Sequence, residues 1–357
     1  MIFSPKRIFA FATIFTLLSL PIHHRAFAAD PIEPIDPVRR EIDEAVARVK
    51  PALVRIKVVA TQYYQGREVK FEASGSGVII SKEGHVITNH HVAGHATRLV
   101  VILASNEEIR KLPWLIPHFA TEEGRLKMSI HSLVVETPKH RILVDTGLGN
   151  NKEGRDVPTW NNRNAPFLEA LTAAGFPPDS IDTVLCTHLH VDHVGWNTKL
   201  VGGQWVPTFA QARYVFGRVE YEYWRDHSAK PAQLAVFNDS VRPITDAGRA
   251  ELIASDARLT DEISMISTPG HSPGHMSIHI ESDGEQGLLT GDVAHHPCQM
   301  AHLDWSSTAD ADPKQSVVAR RELFSRLADT PTLVIGGHYD AGYIKRDGDA
   351  FKFVALE

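Results

Sequence analysis

The sequence predicts a layered α/β protein, and two observations carry that prediction. Strand-like and helix-like apolar runs alternate from about residue 107 to the C-terminus, the pattern of sheets covered by helices. Histidines and aspartates recur just after the predicted strands, at the edge where loops on such layers carry chemistry.

The first element in chain order is a leader. Lys6 and Arg7 supply positive charge, residues 8–20 are apolar with helix-forming character, and Ala26-Phe27-Ala28 fits the small-x-small pattern before a cleavage point. The apolar stretch is shorter than the ~20 residues of a membrane span. Residues 1–29 therefore read as a signal peptide, giving a periplasmic or secreted protein with no stable membrane span after cleavage. A leader that does not function leaves the chain in the cytoplasm.

Residues 30–105 are a second stretch. Ile42, Ala45, Val46 and Val49 give residues 38–50 helical spacing. Strand-like runs follow at 53–61, 77–81, 85–88 and 98–103, with Gly84 in a turn. The texts VARVKPALVRI and GSGVIISKEGHVITNHHVAG resemble the start of a trypsin-like serine protease of the HtrA type, over roughly residues 38–103. The resemblance implies a partial β-barrel with His91 in the place of the catalytic base. That base needs a serine nucleophile to activate. The family's Gly-x-Ser-Gly-Gly context occurs nowhere in the chain, and Ser76 precedes the histidine. A truncated remnant without protease activity is the reading. A working protease, or a peptide-binding module on residues 38–103, is the alternative. The abrupt change of pattern near Ser105 marks the chain as a chimera.

Residues 106–357 are the third stretch. Residues 129–137 and 141–145 read as a hairpin turning at Pro138. Residues 165–174 read as an amphipathic helix stopped by Gly175. A buried strand at 181–187, a short strand at 214–217 and a helix at 218–226 with Tyr221, Tyr223 and Trp224 come next. Strands at 262–268, 276–281 and 287–290, a helix at 313–327 and a strand at 332–335 complete the set.

Composition narrows the function. A chain of 357 residues fits about two domains, and 43% hydrophobic with 22% charged residues is ordinary for a folded soluble protein. The net charge is −6 with no basic run, which argues against a nucleic-acid partner. Cys186 and Cys298 are too few for a disulfide framework. Histidine is in surplus, with 20 residues, many in tight clusters.

The densest cluster is Thr187-His188-Leu189-His190-Val191-Asp192-His193, directly after the strand at 181–187. In extended chain, residues two apart point to the same side, so His188 and His190 can reach one metal ion together. A turn can aim Asp192 and His193 at a second. Burying so many polar groups without partners is costly, which favours a metal. Three later positions share the same context: His271 in a Gly/Pro-rich turn, Asp292 after Thr290-Gly291, and His338 after Gly336-Gly337.

The motif His-x-His-x-Asp-His, with the texts LPWLIPHFATEEGRLKMSIHSLVVETPKHRILVDTGLGN and WNTKLVGGQWVPTF, resembles the metallo-β-lactamase-fold hydrolases of the lactonase-like and organophosphate-hydrolase-like branch. The likeness runs from about residue 107 to the C-terminus. It implies a four-layered αββα fold. It also implies that His188, His190 and His271 bind one metal, that Asp192, His193 and His338 bind another, and that Asp292 bridges them. Asp145 resembles a supporting aspartate that orients a metal-bound histidine. His118, His131, His275, His295, His296 and His302 are read as support, surface or packing residues rather than ligands.

Imidazole and carboxylate ligands suit zinc, with iron, manganese or cobalt as alternatives. The resemblance implies two divalent ions and a bridging hydroxide, which forms at neutral pH because metals lower the pKa of water to about 7. Asp192 would also pass a proton to the leaving group. The expected activity is hydrolysis of an ester, a lactone or a related bond in a small molecule, with a same-fold thioesterase or phosphoesterase as alternatives. Trp114, Phe119, Trp160, Trp196, Trp224 and Trp305 are candidate pocket residues for a lactone with an acyl tail. A homodimer is the expected assembly.

Overall fold

The computed structural model describes residues 8–11, 53–64, 67–79, 86–88, 96–103, 107–228 and 230–356. The chain divides into two compact units. The smaller spans 19–111 with 123–125, and the larger holds 1–18, 112–122 and 126–357.

Strand β1 (Ile8–Phe11) belongs to the larger unit. It falls in the stretch expected to be helical. There the chain is extended instead and pairs antiparallel with a later strand, Ser132–Glu136, which supplies the main-chain partners that a lone helix would make internally. The rest of the leader, the helix expected at 38–50, and His91 lie outside the described residues.

In the smaller unit, β2 (Leu53–Tyr64), β3 (Arg67–Ile79), β4 (Val86–Thr88) and β5 (Ala96–Leu103) form an antiparallel sheet in the order β4-β3-β2-β5. β2 and β3 pair along their whole length, from Leu53↔Val78 to Tyr64↔Arg67. The sequence reading missed the first part of β3. Its alternation of Val69, Phe71 and Ala73 with Lys70, Glu72 and Ser74 is nonetheless a strand pattern.

The larger unit has two six-stranded sheets. The first contains β1, β6 (Ser132–Glu136), β7 (Arg141–Val144), β8 (Thr183–Leu185), β11 (Arg213–Gly217) and β12 (Ala250–Ile253), in that order. The second runs β13 (Ile263–Ser267), β14 (Met276–Ser282), β15 (Glu285–Leu289), β16 (Leu333–Ile335), β17 (Gly342–Asp347) and β18 (Ala350–Ala355). A separate hairpin, β9 (Thr198–Val201) and β10 (Gln204–Pro207), turns through Gly202 and Gly203 with φ of 58° and 80°. Those left-handed values are available to glycine at no steric cost.

Strand alternation explains how the layers stack. Leu133, Val135, Ile142, Val144, Leu185 and Val215 of the first sheet pack with Ile263, Met265, Met276, Ile278, Leu289 and Ile335 of the second. Val134, Leu143, Val184, Tyr214 and Phe216 point the other way, into a cluster with the helical layer. That layer is made by α1 (Phe167–Ala173), α2 (Arg218–His227), α3 (Pro231–Val236) and α4 (Arg242–Asp246). Ile142, Leu185 and Ile278 are fully buried, worth about 1.5–3 kcal/mol each. A one-residue slip would turn each of them onto the opposite face.

On the far side of the second sheet, α6 (Pro313–Leu327) follows the short α5 (Cys298–Ala301). It buries Leu323 and Phe324, and the Phe324 ring meets Phe351 of β18 at 6.2 Å. Asp312 caps α6 by accepting from the amides of Lys314 and Gln315, both at 3.0 Å. The result is helix, sheet, sheet, helix, the four-layered αββα arrangement expected. Strands β9, β10, β12, β17 and β18 were not anticipated. The side chains of β9, β10 and β12 are largely polar or half-exposed, so their apolar signal is weak, whereas β17 and β18 bury Ile344, Phe351 and Phe353 in an alternation that the sequence does carry.

Candidate metal centre

Strands from both sheets end at one place. β7 leads to Asp145, β8 to His188, β13 to His271, β15 to Asp292 and β16 to His338. The amide of Met276 donates to the Thr187 carbonyl at 3.0 Å, tying the two sheets together at this edge.

The seven residues singled out by sequence spacing converge there. Nε2 of His188 lies 3.0 Å from Nδ1 of His190 and 3.1 Å from Nε2 of His271. The latter two nitrogens are 2.7 Å apart. Three imidazole nitrogens therefore face one point, near the ~3.3 Å edge of a tetrahedron with metal–nitrogen bonds of ~2.0 Å. Burial, reinforced by the neighbouring histidines, holds His188 and His271 well below the usual histidine range. Burial takes His190 down to about 4, against the pull of Asp192 and Asp292. All three are neutral at pH 7, with lone pairs free to bind a cation.

Asp192, His193 and His338 form the adjoining group. Nε2 of His193 is 3.8 Å from Asp192 Oδ1, and Nε2 of His338 is 3.6 Å from Asp192 Oδ2. Burial works against a charge on His193, but the carboxylates of Asp292, Asp145 and Asp192 outweigh it and raise that histidine well above its usual range. Burial likewise opposes charge on His338, and Asp292 and Asp192 lift it to about 9. Asp292 sits between the groups. Its Oδ2 is 3.0 Å from His338, 3.4 Å from His193, 3.4 Å from His271 and 3.9 Å from His188, measured to Nε2 in each case. Burial penalises its charge, yet His338, His193 and His295 hold it well below the usual carboxylate range.

The donor set fits divalent cations. His193 Nε2 and Asp292 Oδ1 are buried without a hydrogen-bond partner, a costly state unless something else satisfies them. A Cβ on Gly337 would come within 2.3 Å of Asp292 Oδ1, so glycine there leaves the carboxylate room.

Supporting groups fix which ring nitrogen faces inward. His193 Nδ1 donates to Asp145 Oδ2 at 2.8 Å, His271 Nδ1 to Asp310 Oδ1 at 2.9 Å, and His338 Nδ1 to the Ser129 carbonyl at 2.8 Å. Such partners orient the imidazole and raise its basicity. Asp145 also accepts from the amide and hydroxyl of Thr187, both at 2.8 Å. Its φ of 53° is a strained value that aspartate tolerates better than most residues. The supporting role expected for Asp145 is the one its contacts describe.

Sequence reasoning did not find Asp310 or Glu220. Asp310 stands beside the fully buried Arg320, whose guanidinium also donates to the carbonyls of Val293, Leu303 and Trp305. Neither residue belongs to a local motif, so spacing carries no signal for them. His275 does belong to the centre's support: its Nε2 accepts from the Asp292 amide at 2.9 Å, and burial lowers it to about 3.

His295 comes closer than its expected role implies. Its Nε2 is 3.3 Å from Asp292 Oδ2, and its ring lies parallel to that of His338, with centroids 5.6 Å apart. Its position three after Asp292 was the available signal. His131 and His296 bind the carbonyls of Gly336 and Phe119, at 3.0 and 2.7 Å. His302 stacks on Trp305 at 4.0 Å, and His118 is exposed. Of the aromatic candidates, Trp224 meets His190 edge-on at 5.3 Å. Phe119 and Trp196 are core residues, and Trp114, Trp160 and Trp305 are half-buried. Among the described residues, no helix is long and apolar enough to cross a membrane.

Comparison with known proteins agrees with this geometry. The family model of the metallo-beta-lactamase superfamily matches residues 127–338. An N-acyl homoserine lactonase of Bacillus thuringiensis is 27% identical over 228 residues, covering 60% of this chain and 82% of the relative. The solved structure of AbOPH, a hydrolase in the beta lactamase superfamily, is 21% identical with a TM-score of 0.58, covering 85% of this chain and 94% of that one. AidC, a dizinc quorum-quenching lactonase, is 22% identical with a TM-score of 0.55, covering 71% of this chain and 86% of that one. At these identities the two structures speak for the fold alone. The family model spans more than half of the chain, so the protein belongs to the metallo-beta-lactamase superfamily and is a metal-dependent hydrolase.

Proposed function

We propose that residues 106–357 open the ring of a lactone carrying an acyl tail, using two divalent cations, zinc foremost. His188, His190 and His271 would hold one, Asp192, His193 and His338 would hold the other, and Asp292 faces both groups. The observation that carries this reading is Asp292 Oδ2, which lies 3.0–3.9 Å from ring nitrogens of both groups. The curated lactonase relative supports the substrate class, since it is named for N-acyl homoserine lactones.

When bound, the cations supply Lewis acidity to the acyl oxygen and bring the pKa of water towards about 7. The chain's own residues do the rest. Water oxygen bonds to the acyl carbon and gives up a proton, the ring C–O bond breaks, and the departing oxygen takes up that proton. Asp192 would carry that proton, since its side chain is the more accessible of the two carboxylates, 13% exposed against 3% for Asp292. Asp145 and Asp310 keep His193 and His271 in the tautomer whose Nε2 lone pair points inward.

The test pairs metal content by elemental mass spectrometry with ring opening of N-acyl homoserine lactones, followed by acid release. About two ions per chain are expected, with activity lost on chelation and restored by zinc. Fewer than one ion per chain after zinc exposure, or ring opening indifferent to chelation, would sink the proposal. Turnover of a thioester or phosphotriester but of no lactone would keep the centre and replace the substrate.

A further inference from the structure

Glu220 lies outside the ligand set, yet it touches both loops of the three-imidazole group. It sits in the first turn of α2 and is 1% exposed. Its Oε1 accepts from the amide of Leu189 at 3.0 Å, and Leu189 separates His188 from His190. Its Oε2 accepts from the amide of Gly274 at 2.9 Å, three residues beyond His271. The two loops are far apart in sequence, and one rigid carboxylate spans them.

Two further contacts tighten the arrangement. Trp224, one turn along α2, donates its indole N–H to Oε1 at 2.6 Å, and its ring lies edge-on to His190. A Cβ on Gly274 would fall 2.2 Å from the Glu220 nitrogen, so the helix start rests directly on the loop backbone. Three N–H donors share this one side chain.

We infer that Glu220 is a positioning residue that sets the spacing between the His188–His190 loop and the His271 loop, and so the cation affinity of the three-imidazole group. The inference rests on the metal-binding reading above. It predicts a selective effect. Loss of the bridge loosens one group of ligands and leaves the Asp192, His193 and His338 group as it was.

The experiment uses full-length chains and cobalt(II), whose absorption reports its coordination. His338→Ala isolates the three-imidazole group and His190→Ala isolates the other. Glu220→Gln is added to each, because glutamine keeps the shape but turns an N–H towards one of the two amides. In the His338→Ala background, affinity should fall about 10- to 100-fold, the range for lost outer partners of metal ligands, with a changed absorption band. In the His190→Ala background it should change less than about threefold. Equal losses in both backgrounds would show general loosening and overturn the inference, as would no loss in either. If His338→Ala with Glu220 intact takes up no cobalt(II), the metal-binding reading itself fails, and this shows before Glu220 is changed. Should Glu220→Gln not fold, hydrogen exchange on the unmodified chain decides. The Leu189 and Gly274 amides should stay protected after chelation, and exchange at the rate of open loops would overturn the bridge.

Discussion

The His188, His190 and His271 group and the Asp192, His193 and His338 group share Asp292 but are built on different electrostatics. The first has only imidazoles, packed at 2.7–3.1 Å, all held neutral by burial. The second mixes imidazoles with carboxylates, which raise His193 and His338 above the normal range. A cation entering the first group meets lone pairs. One entering the second must displace protons. Similar residue types thus make two groups with different acid–base behaviour, and the neighbouring carboxylates make the difference.

The strongest way to break this comparison is to remove what the groups share. Asp292→Asn takes away the charge facing both, and activity should fall by more than the roughly 100-fold expected for any single outer partner. Lactone turnover and metal content would report it together. A variant retaining two ions and near-normal turnover would mean that Asp292 does not bridge.

Asp145→Asn should come next. Its carboxylate accepts from His193 and holds Thr187, so the loss should be about 10- to 100-fold. The effect should fall on the second group, read as a lower ion content at limiting zinc with the first ion retained.

Proton competition sharpens the contrast further. His338 titrates near 9 in the folded metal-free chain, above its ordinary 6.5. The folded state therefore binds the extra proton between those values. Its contribution to stability is complete below about 6.5 and lost as pH rises through about 9. Affinity for the second ion should increase over the same range. The first ion's affinity should stay flat there, because His190 titrates near 4. An affinity for the second ion that falls between pH 6.5 and 9 would contradict the assignment.

The smallest expected effect is that of His131→Phe. It removes two bonds, one to the Gly336 carbonyl in the loop carrying His338 and one to the Ser129 hydroxyl. Second-ion affinity should fall by less than about tenfold, with the first unchanged in the same titration.

Much of this centre was legible in the chain. His188 and His190 could be paired because extended residues two apart share a side, and Asp145 stood out within its motif. Glu220 and Asp310 could not be found that way. A lone glutamate in a helix reads as a solvated charge until its carboxylate is seen against two backbone amides. His295 was passed over because a histidine three residues past a ligand is ambiguous. Its ring could face the centre or the core, and only packing against His338 settles it.

The same division holds for the fold. By itself the sequence determined the central strands β6, β7, β8, β13, β14 and β15, the helices α1, α2 and α6, and the residue types gathered at their ends. Buried strands must be apolar, and coordination chemistry admits few side chains. The tertiary structure alone decided the outer hairpin β9–β10, whose half-exposed strands carry little apolar signal. It alone decided the extended state of Ile8–Phe11, which depends on pairing with β6. And it alone decided which buried carboxylates brace the ligands, because that role depends on the groups each one faces across the fold.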